Sequence, residues 1–160
     1  MKLYFLRHAA ALDGTDDAKR PLSPHGRRQA RKLARFLKRS GVAFDAAFSS
    51  PLVRARQTGE IVVDITNESN PVKLELVEAL LNSTSEEDFE RWIDGLTNHK
   101  HILMVGHEPA MSARLRKLLG MNQAGTLELA KGALACVKKE GRHATLKLLI
   151  APKALGLGHG

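Results

Sequence analysis

The 160-residue chain has a single cysteine, Cys136. An intramolecular disulfide is therefore impossible, as is a metal site built from several cysteines. No apolar run approaches the roughly 18 residues that a membrane-spanning helix needs. The opening Met1-Lys2-Leu3-Tyr4-Phe5-Leu6 is cut short by Arg7, too early for the apolar core of a secretory signal. These absences lead to the expectation of a soluble, cytoplasmic protein with no membrane partner. Acidic residues are also scarce. There are 17 Asp and Glu against 25 Lys and Arg, a formal net charge of +8. That excess favours an anionic partner, which could be a phosphate ester, a nucleic acid or an acidic protein. No repeat, low-complexity tract or linker divides the chain, and its length suits one domain. The expected organisation is a single domain over 1–150, with a mobile tail over 151–160 that holds three glycines.

The hydrophobic pattern alternates between strands and helices. Residues 2–6 read as a short buried strand. Ser23-Pro24 reads as an N-cap with proline at the first helical position. Behind it, Ala30, Leu33, Ala34 and Leu37 recur at i, i+3, i+4 and i+7, one helix face that Gly41 ends. Residues 45–49 suit a second strand, and Ser50-Pro51 repeats the cap signal before a helix running toward Ile65. Ile61-Val62-Val63 has strand propensity and blurs that helix's end. Residues 72–77 suit a third strand, and Ser85-Glu86-Glu87-Asp88 a capped helix carrying Phe89, Trp92, Ile93 and Leu96. Residues 101–105 form a strand ending at Gly106-His107-Glu108-Pro109, with a helix from there to about Leu119. Residues 133–139 and 144–150 pair as a hairpin around Glu140-Gly141-Arg142-His143. This order predicts a three-layer α/β/α sandwich, its central sheet mostly parallel with an antiparallel hairpin at one side. In such folds the ligand crevice lies at the carboxyl ends of the strands. Three polar junctions fall there: Arg7-His8, Ser49-Ser50 leading to Arg54, and Gly106-His107.

Two of these junctions run into helix N-termini, whose free N–H groups attract anions. Arg54 falls in a first helical turn, where it opposes the helix dipole at a cost of about 0.3–1 kcal/mol. Arg27 and Arg28 repeat this after Ser23. A bound anion offsets the cost, and the arginine fork suits phosphate better than lysine does.

The segments Leu3-Tyr4-Phe5-Leu6-Arg7-His8, Pro21-Leu22-Ser23-Pro24-His25-Gly26 with Gln29-Ala30, Ser49-Ser50-Pro51-Leu52-Val53-Arg54-Ala55-Arg56-Gln57-Thr58, Val77-Glu78-Ala79-Leu80 and Val105-Gly106-His107-Glu108-Pro109 occur in order. Together they resemble the histidine phosphatase, or phosphoglycerate mutase-like, superfamily. The short length and Arg20-Pro21-Leu22-Ser23 are most similar to its SixA-type phosphohistidine phosphatase branch. The resemblance implies that His8 is the nucleophile and that Arg7, Arg54 and His107 surround the phosphate, with Arg20 a further phosphate contact. Glu78 is the candidate proton donor. It implies a metal-independent phosphatase with no cofactor, acting through a phosphohistidine on His8. Two departures stand out. Ala9 occupies a position where the family usually has glycine, a strained choice wherever the backbone needs positive φ. The stretch 79–88 is short for a substrate-covering cap, and an open pocket suits a phosphorylated protein side chain.

The expected substrate is accordingly phosphohistidine in a protein. The alternatives are a small phosphate ester such as a sugar phosphate, or a non-catalytic phosphate-binding module. A mutase would need to exclude water, and the chain is too short to enclose its site. Ser49 and Ser50 read as helix caps, with Ser50 also within reach of substrate, and Cys136 as a buried apolar residue. Arg27, Arg28, Arg31, Lys32, Arg35, Lys38 and Arg39 place seven cations in thirteen residues. They read as a solvated helix face or as a docking surface for an acidic protein. Nucleic acid is disfavoured because no aromatic residues interleave with the charges to stack bases. Among the seven histidines only His99 and His101 lie close in sequence, without the ligand set a metal needs.

Overall fold

The computed structural model describes residues 1–157. Strands β1 (Lys2–Arg7), β2 (Ala46–Ser49), β3 (Leu74–Leu76), β4 (His101–Gly106), β5 (Leu134–Glu140) and β6 (His143–Ile150) form one sheet, in the order β3-β2-β4-β1-β5-β6. The pairs β1–β4, β2–β4 and β2–β3 are parallel, while β1–β5 and β5–β6 are antiparallel. Helices α1 (Pro24–Arg39) and α2 (Val53–Thr66) cover one face, α3 (Glu86–Asp94) and α4 (Ala110–Leu118) the other. The α/β/α sandwich with a closing hairpin is thus the expected one.

The alternation of side chains along each strand creates the two cores. In β1, Leu3 and Phe5 join Phe89, Ile93, Met111 and Leu115 of α3 and α4. Tyr4 and Leu6 point the opposite way and join Leu33, Leu37 and Val62 of α1 and α2. Trp92 packs edge-on against Phe48 at the border of the first core. Cys136 is buried in the second core, and the Tyr4 hydroxyl is pushed well above its ordinary range, chiefly by burial and then by Cys136. Ile61-Val62-Val63 remains helical because Val62 and Val63 bury themselves in that core, which outweighs their strand propensity.

Two local differences from the sequence reading concern ends of elements. Residues 152–155 form a short 3-10 turn, with Pro152 buried and Leu155 packed against the α1-side core. The tail expected to be mobile is therefore folded over 151–157, and its last three residues lie outside the described ones. Second, α2 begins at Val53 and has no side-chain cap. Ser49 Oγ donates to the Ser50 carbonyl, and the Ser50 N–H extends the strand pairing by donating to Val105. Neither serine caps the helix. Ala9 adopts a backbone that alanine tolerates, since no non-glycine residue described has positive φ.

By contrast, Ser23 caps α1 by accepting from Gly26 N–H. Gly26 is required there for a steric reason. A Cβ at this position would stand 1.9 Å from the Ala10 carbonyl oxygen. That carbonyl also accepts from the Ser23 N–H, and the Ala10 N–H donates to Gln29 Oε1. The start of α1 and the loop after β1 are thus locked together. Gly26→Ala is expected to force them apart and to cost about 1–3 kcal/mol of stability, the range of core overpacking. Urea unfolding of the variant beside the native chain checks this, and an unchanged midpoint would contradict it.

Between β3 and α3 lie only a 3-10 turn at Glu78–Leu80 and a few connecting residues, so this connection supplies no helical cap over the strand ends. No helix among the described residues is long and apolar enough to cross a membrane.

Candidate active site

The carboxyl ends of β1, β2 and β4 meet at one place. The His8 N–H donates to the Gly106 carbonyl and the Ser50 N–H to that of Val105, both at 3.0 Å. From the other side, Gly132 N–H reaches the carbonyls of Arg7 and His8 at 3.1 Å. Adjacent strand pairing therefore places Arg7, His8, Ser50 and His107 together before any side chain interacts.

His8 is 7% exposed. Its Nδ1–H donates to the Ala9 carbonyl at 2.7 Å, which fixes the tautomer and leaves the lone pair on Nε2. Burial pushes the ring's pKa down to about 4. The Ala9 carbonyl opposes this, and the charges of Arg54, Arg7 and Lys131 add to it. His8 is therefore neutral at pH 7. His107 lies with its ring centroid 5.1 Å from that of His8, the planes at 49°. Burial, then His8 and Arg54, push it down to about 3. Its Nε2 is 2.6 Å from Ser50 Oγ, whose oxygen accepts from Leu52 N–H; with the Ser50 hydroxyl donating to Nε2, the proton of the neutral ring sits on Nδ1. Ser50 thereby orients a site histidine, a role that cap preference alone does not reveal.

The two arginines are held by carbonyls. Arg7 Nη1 donates to Leu129 at 3.0 Å, and Arg54 Nη1 to Asp17 at 2.8 Å. Arg54 Nη2 also reaches Asp17 Oδ2 at 3.2 Å. Arg7 Nε, Arg54 Nε and His107 Nδ1 are buried without a partner. Only one other side-chain nitrogen or oxygen among the described residues is in that condition, Arg114 Nη1. An unpaired buried polar group costs about 1–3 kcal/mol. Three such groups in one electrostatically coupled cluster, two of them on arginines, make this the candidate anion site.

The structure treats the remaining candidates unequally. Arg20 is tied to the cluster through Asp17, its Nε donating to Oδ1 at 3.1 Å. Asp17 thus bridges two of the expected phosphate ligands, and Arg54 holds its carboxyl below the usual range. Its spacing of three from Arg20 was visible in the sequence, whereas its main partner Arg54 is 37 residues away. Glu78 opens the 3-10 turn after β3, at the same edge of the sheet, and its carboxylate is exposed with no bonded partner among the described residues. No hydrogen bond or ion pair joins it to the other four. Thr58 was not singled out by sequence reading for any role. Its Oγ1 accepts from Ala9 N–H at 3.1 Å and donates to the Arg54 carbonyl at 2.7 Å, coupling the His8 loop to α2. Lys131 was also missed. It precedes the Gly132 that is bonded to His8, and no motif marks it. Among the described residues no group of three or more His, Cys, Asp or Glu is placed to hold a metal ion.

Paired imidazoles and arginines at the strand ends of this sandwich define a protein class. The profile of the histidine phosphatase superfamily (branch 1) matches residues 3–83, and the chain belongs to that superfamily. An uncharacterized protein of Picosynechococcus sp. is 30% identical over 146 residues, covering 83% of this chain and 87% of that one. The phosphohistidine phosphatase SixA of Escherichia coli is 31% identical over 121 residues, 74% of each chain. The structure of the protein histidine phosphatase SixA complexed with tungstate superposes with a TM-score of 0.85 at 27% identity, covering 97% of this chain and 99% of that one. Within the superfamily the chain is of the SixA type, and it is a phosphatase.

Proposed function

We propose that the protein removes phosphate from phosphohistidine in a protein, by way of a phosphohistidine formed on its own His8. The observation that carries this reading is the neutral His8 ring. Its Nε2 lone pair is free, beside arginine and histidine nitrogens that lack partners. In the first step Nε2 attacks phosphorus, the new N–P bond forms, and the N–P bond to the substrate imidazole breaks. The leaving imidazole takes up a proton from solvent. In the second step water attacks the phosphorus, the His8–phosphorus bond breaks, and phosphate leaves with His8 neutral again. Arg7, Arg54, Arg20 and His107 stabilise the negative charge on the three equatorial oxygens in both steps.

The short connection between β3 and α3, which has no helical cap, favours a phosphate carried on a protein over an enclosed metabolite. The exposed carboxylate of Glu78 favours a second reading, small esters such as sugar phosphates, because an alcohol leaving group needs a proton donor at that edge. Ala9, with its ordinary backbone, gives no support to a module that has lost turnover.

Two measurements test the proposal. A protein phosphorylated on histidine with labelled phosphoramidate, mixed briefly with enzyme and quenched in base, should leave acid-labile label on His8. Absence of that label, with turnover intact, would refute the covalent route. Glu78→Gln should reduce turnover of a sugar phosphate by about 10²-fold or more, the lower range of general acid catalysis. Turnover of phosphohistidine should change less than about threefold, because a nitrogen leaving group depends little on that acid. A native enzyme that uses sugar phosphate far better than phosphohistidine would establish the second reading.

A further inference from the structure

Helix α1 carries seven lysines and arginines and no acidic residue. Those seven nearly equal the net charge of the whole chain, +8, so the rest of the molecule is close to neutral. Its apolar side, including Leu33, Ala34 and Leu37, is buried against the sheet. Arg28, Lys32, Arg35, Lys38 and Arg39 are exposed, and Arg27 and Arg31 are half-buried. Among the described residues only Lys38 has an acidic partner, Glu68 just past α2.

A face that merely solvates a helix ordinarily mixes signs, because opposite charges at i and i+4 stabilise and like charges destabilise. Here Arg28 with Lys32, Arg27 with Arg31, Arg31 with Arg35, and Arg35 with Arg39 are all like-charged i, i+4 pairs. Arg27 and Arg28 also oppose the helix dipole in the first turn. The fold therefore sustains repulsion along the helix, with the Lys38–Glu68 pair and the dipole at its last turn as the only return among the described residues. The place of the helix supplies a reason. Its first turn is bonded to the loop directly after His8, through Ser23 and Gly26 against Ala10. From there its 16 residues run about 24 Å away from the pocket. A cationic stripe thus starts at the rim of the candidate active site.

We propose that this face of α1 docks the acidic surface of the protein whose phosphorylated side chain enters the pocket. The proposal rests on the phosphoprotein reading above and adds to it the charge of the substrate. Like other charged interfaces, the stripe would act mainly on association and on choice of partner. Small esters, which touch only the pocket, would not sense it. A protein partner is favoured over nucleic acid because the stripe begins beside the loop that follows His8, and because the one phenyl ring of α1, Phe36, packs against the core and α1 has no tyrosine or tryptophan for stacking.

The test compares the native chain with a triple variant, Arg28→Glu, Lys32→Glu and Arg35→Glu. Substrates are an aryl phosphate, an acidic protein and a basic protein, both proteins phosphorylated on histidine with phosphoramidate. Expected is a fall of about tenfold or more in kcat/KM on the acidic protein, with the aryl phosphate unchanged within about twofold. Added salt should bring the native chain down toward the variant. The basic protein should not lose turnover. The Gln triple variant at the same positions replaces the reversal if the latter does not fold, and should give a smaller fall of the same kind.

Unchanged turnover of the acidic protein in a folded variant would overturn the proposal. So would unchanged turnover together with loss of duplex DNA binding, which would give the face to nucleic acid. If the native chain hydrolyses neither phosphoprotein, the phosphoprotein reading fails by itself. Docking is then judged by fluorescence anisotropy with the unphosphorylated proteins. Selective loss of the acidic one in the variant sustains it, and equal binding ends it.

Discussion

His8→Ala is expected to abolish turnover of every phosphorylated substrate, lowering kcat/KM by on the order of 10⁴-fold or more, as removal of a covalent nucleophile does. No neighbouring group can substitute. His107 is the only other imidazole in the cluster, and its Nε2 is engaged with Ser50. The variant should fold, because among the described residues the His8 side chain makes one hydrogen bond, to the adjacent Ala9 carbonyl. Phosphate binding should survive, since Arg7, Arg54 and His107 remain, and protection of the variant by inorganic phosphate in thermal unfolding checks this. Turnover above one part in a hundred of the native rate would remove His8 from the nucleophile's role.

The same ring gives a pH dependence. Its folded value of about 4 lies below the ordinary histidine value of 6.5. The attacking lone pair should therefore remain available throughout the neutral range, and kcat/KM should fall on the acid side only as pH approaches 4. Stability follows from linkage. Between pH 6.5 and about 4 the unfolded chain binds protons at His8 and His107 while the folded chain keeps both rings neutral. The unfolded state then holds more protons, so stability is fully present above 6.5 and declines as pH drops toward 4. Urea midpoints at pH 7 and pH 4.5 measure the decline, and the His8→Ala chain should show a smaller one.

Much of this site was legible in the chain because strand ends announce themselves. Arg7-His8 and Gly106-His107 each follow a buried apolar run, and parallel pairing of β1 with β4 sets Arg7 directly opposite Gly106. Arg54 was legible from its unfavourable place in a first turn. What escaped notice depended on partners distant in sequence. Ser50 looks like a cap beside Pro51, but its N–H is drawn into pairing with β4 and its hydroxyl to His107, 57 residues away. Asp17 lies in an exposed loop among other acidic residues, and only the folded chain brings it to Arg54. The tail had the composition of a loose end. Pro152 nevertheless finds a buried place close to Gly132 and Gln29, and this orders the residues around it.

Arg54 separates charge from geometry. Arg54→Lys retains a cation and loses the planar fork. In the native chain two of its nitrogens are anchored on Asp17, and Nε is buried and unpaired, the donor that the proposed function assigns to the substrate. A lysine ammonium cannot divide itself in this way, since it is one compact donor group at the end of a flexible stem. The expected loss in kcat/KM is about 10²–10³-fold, the range for removal of one donor that stabilises a developing negative charge. Arg54→Ala should lose as much or more. The two variants should differ in the titration of His8, which the Arg54 charge helps to depress. With alanine the acid limb of kcat/KM should move to higher pH, toward the ordinary histidine value; with lysine it should stay near the native position. Asp17 should respond too, because Arg54 is the main reason its carboxyl lies below the usual range. NMR titration of the carboxyl carbon should show it rising in Arg54→Ala and little changed in Arg54→Lys. A native rate in the lysine variant would mean that the cluster needs only positive charge at this point, and that the fork held by Asp17 has no part in turnover.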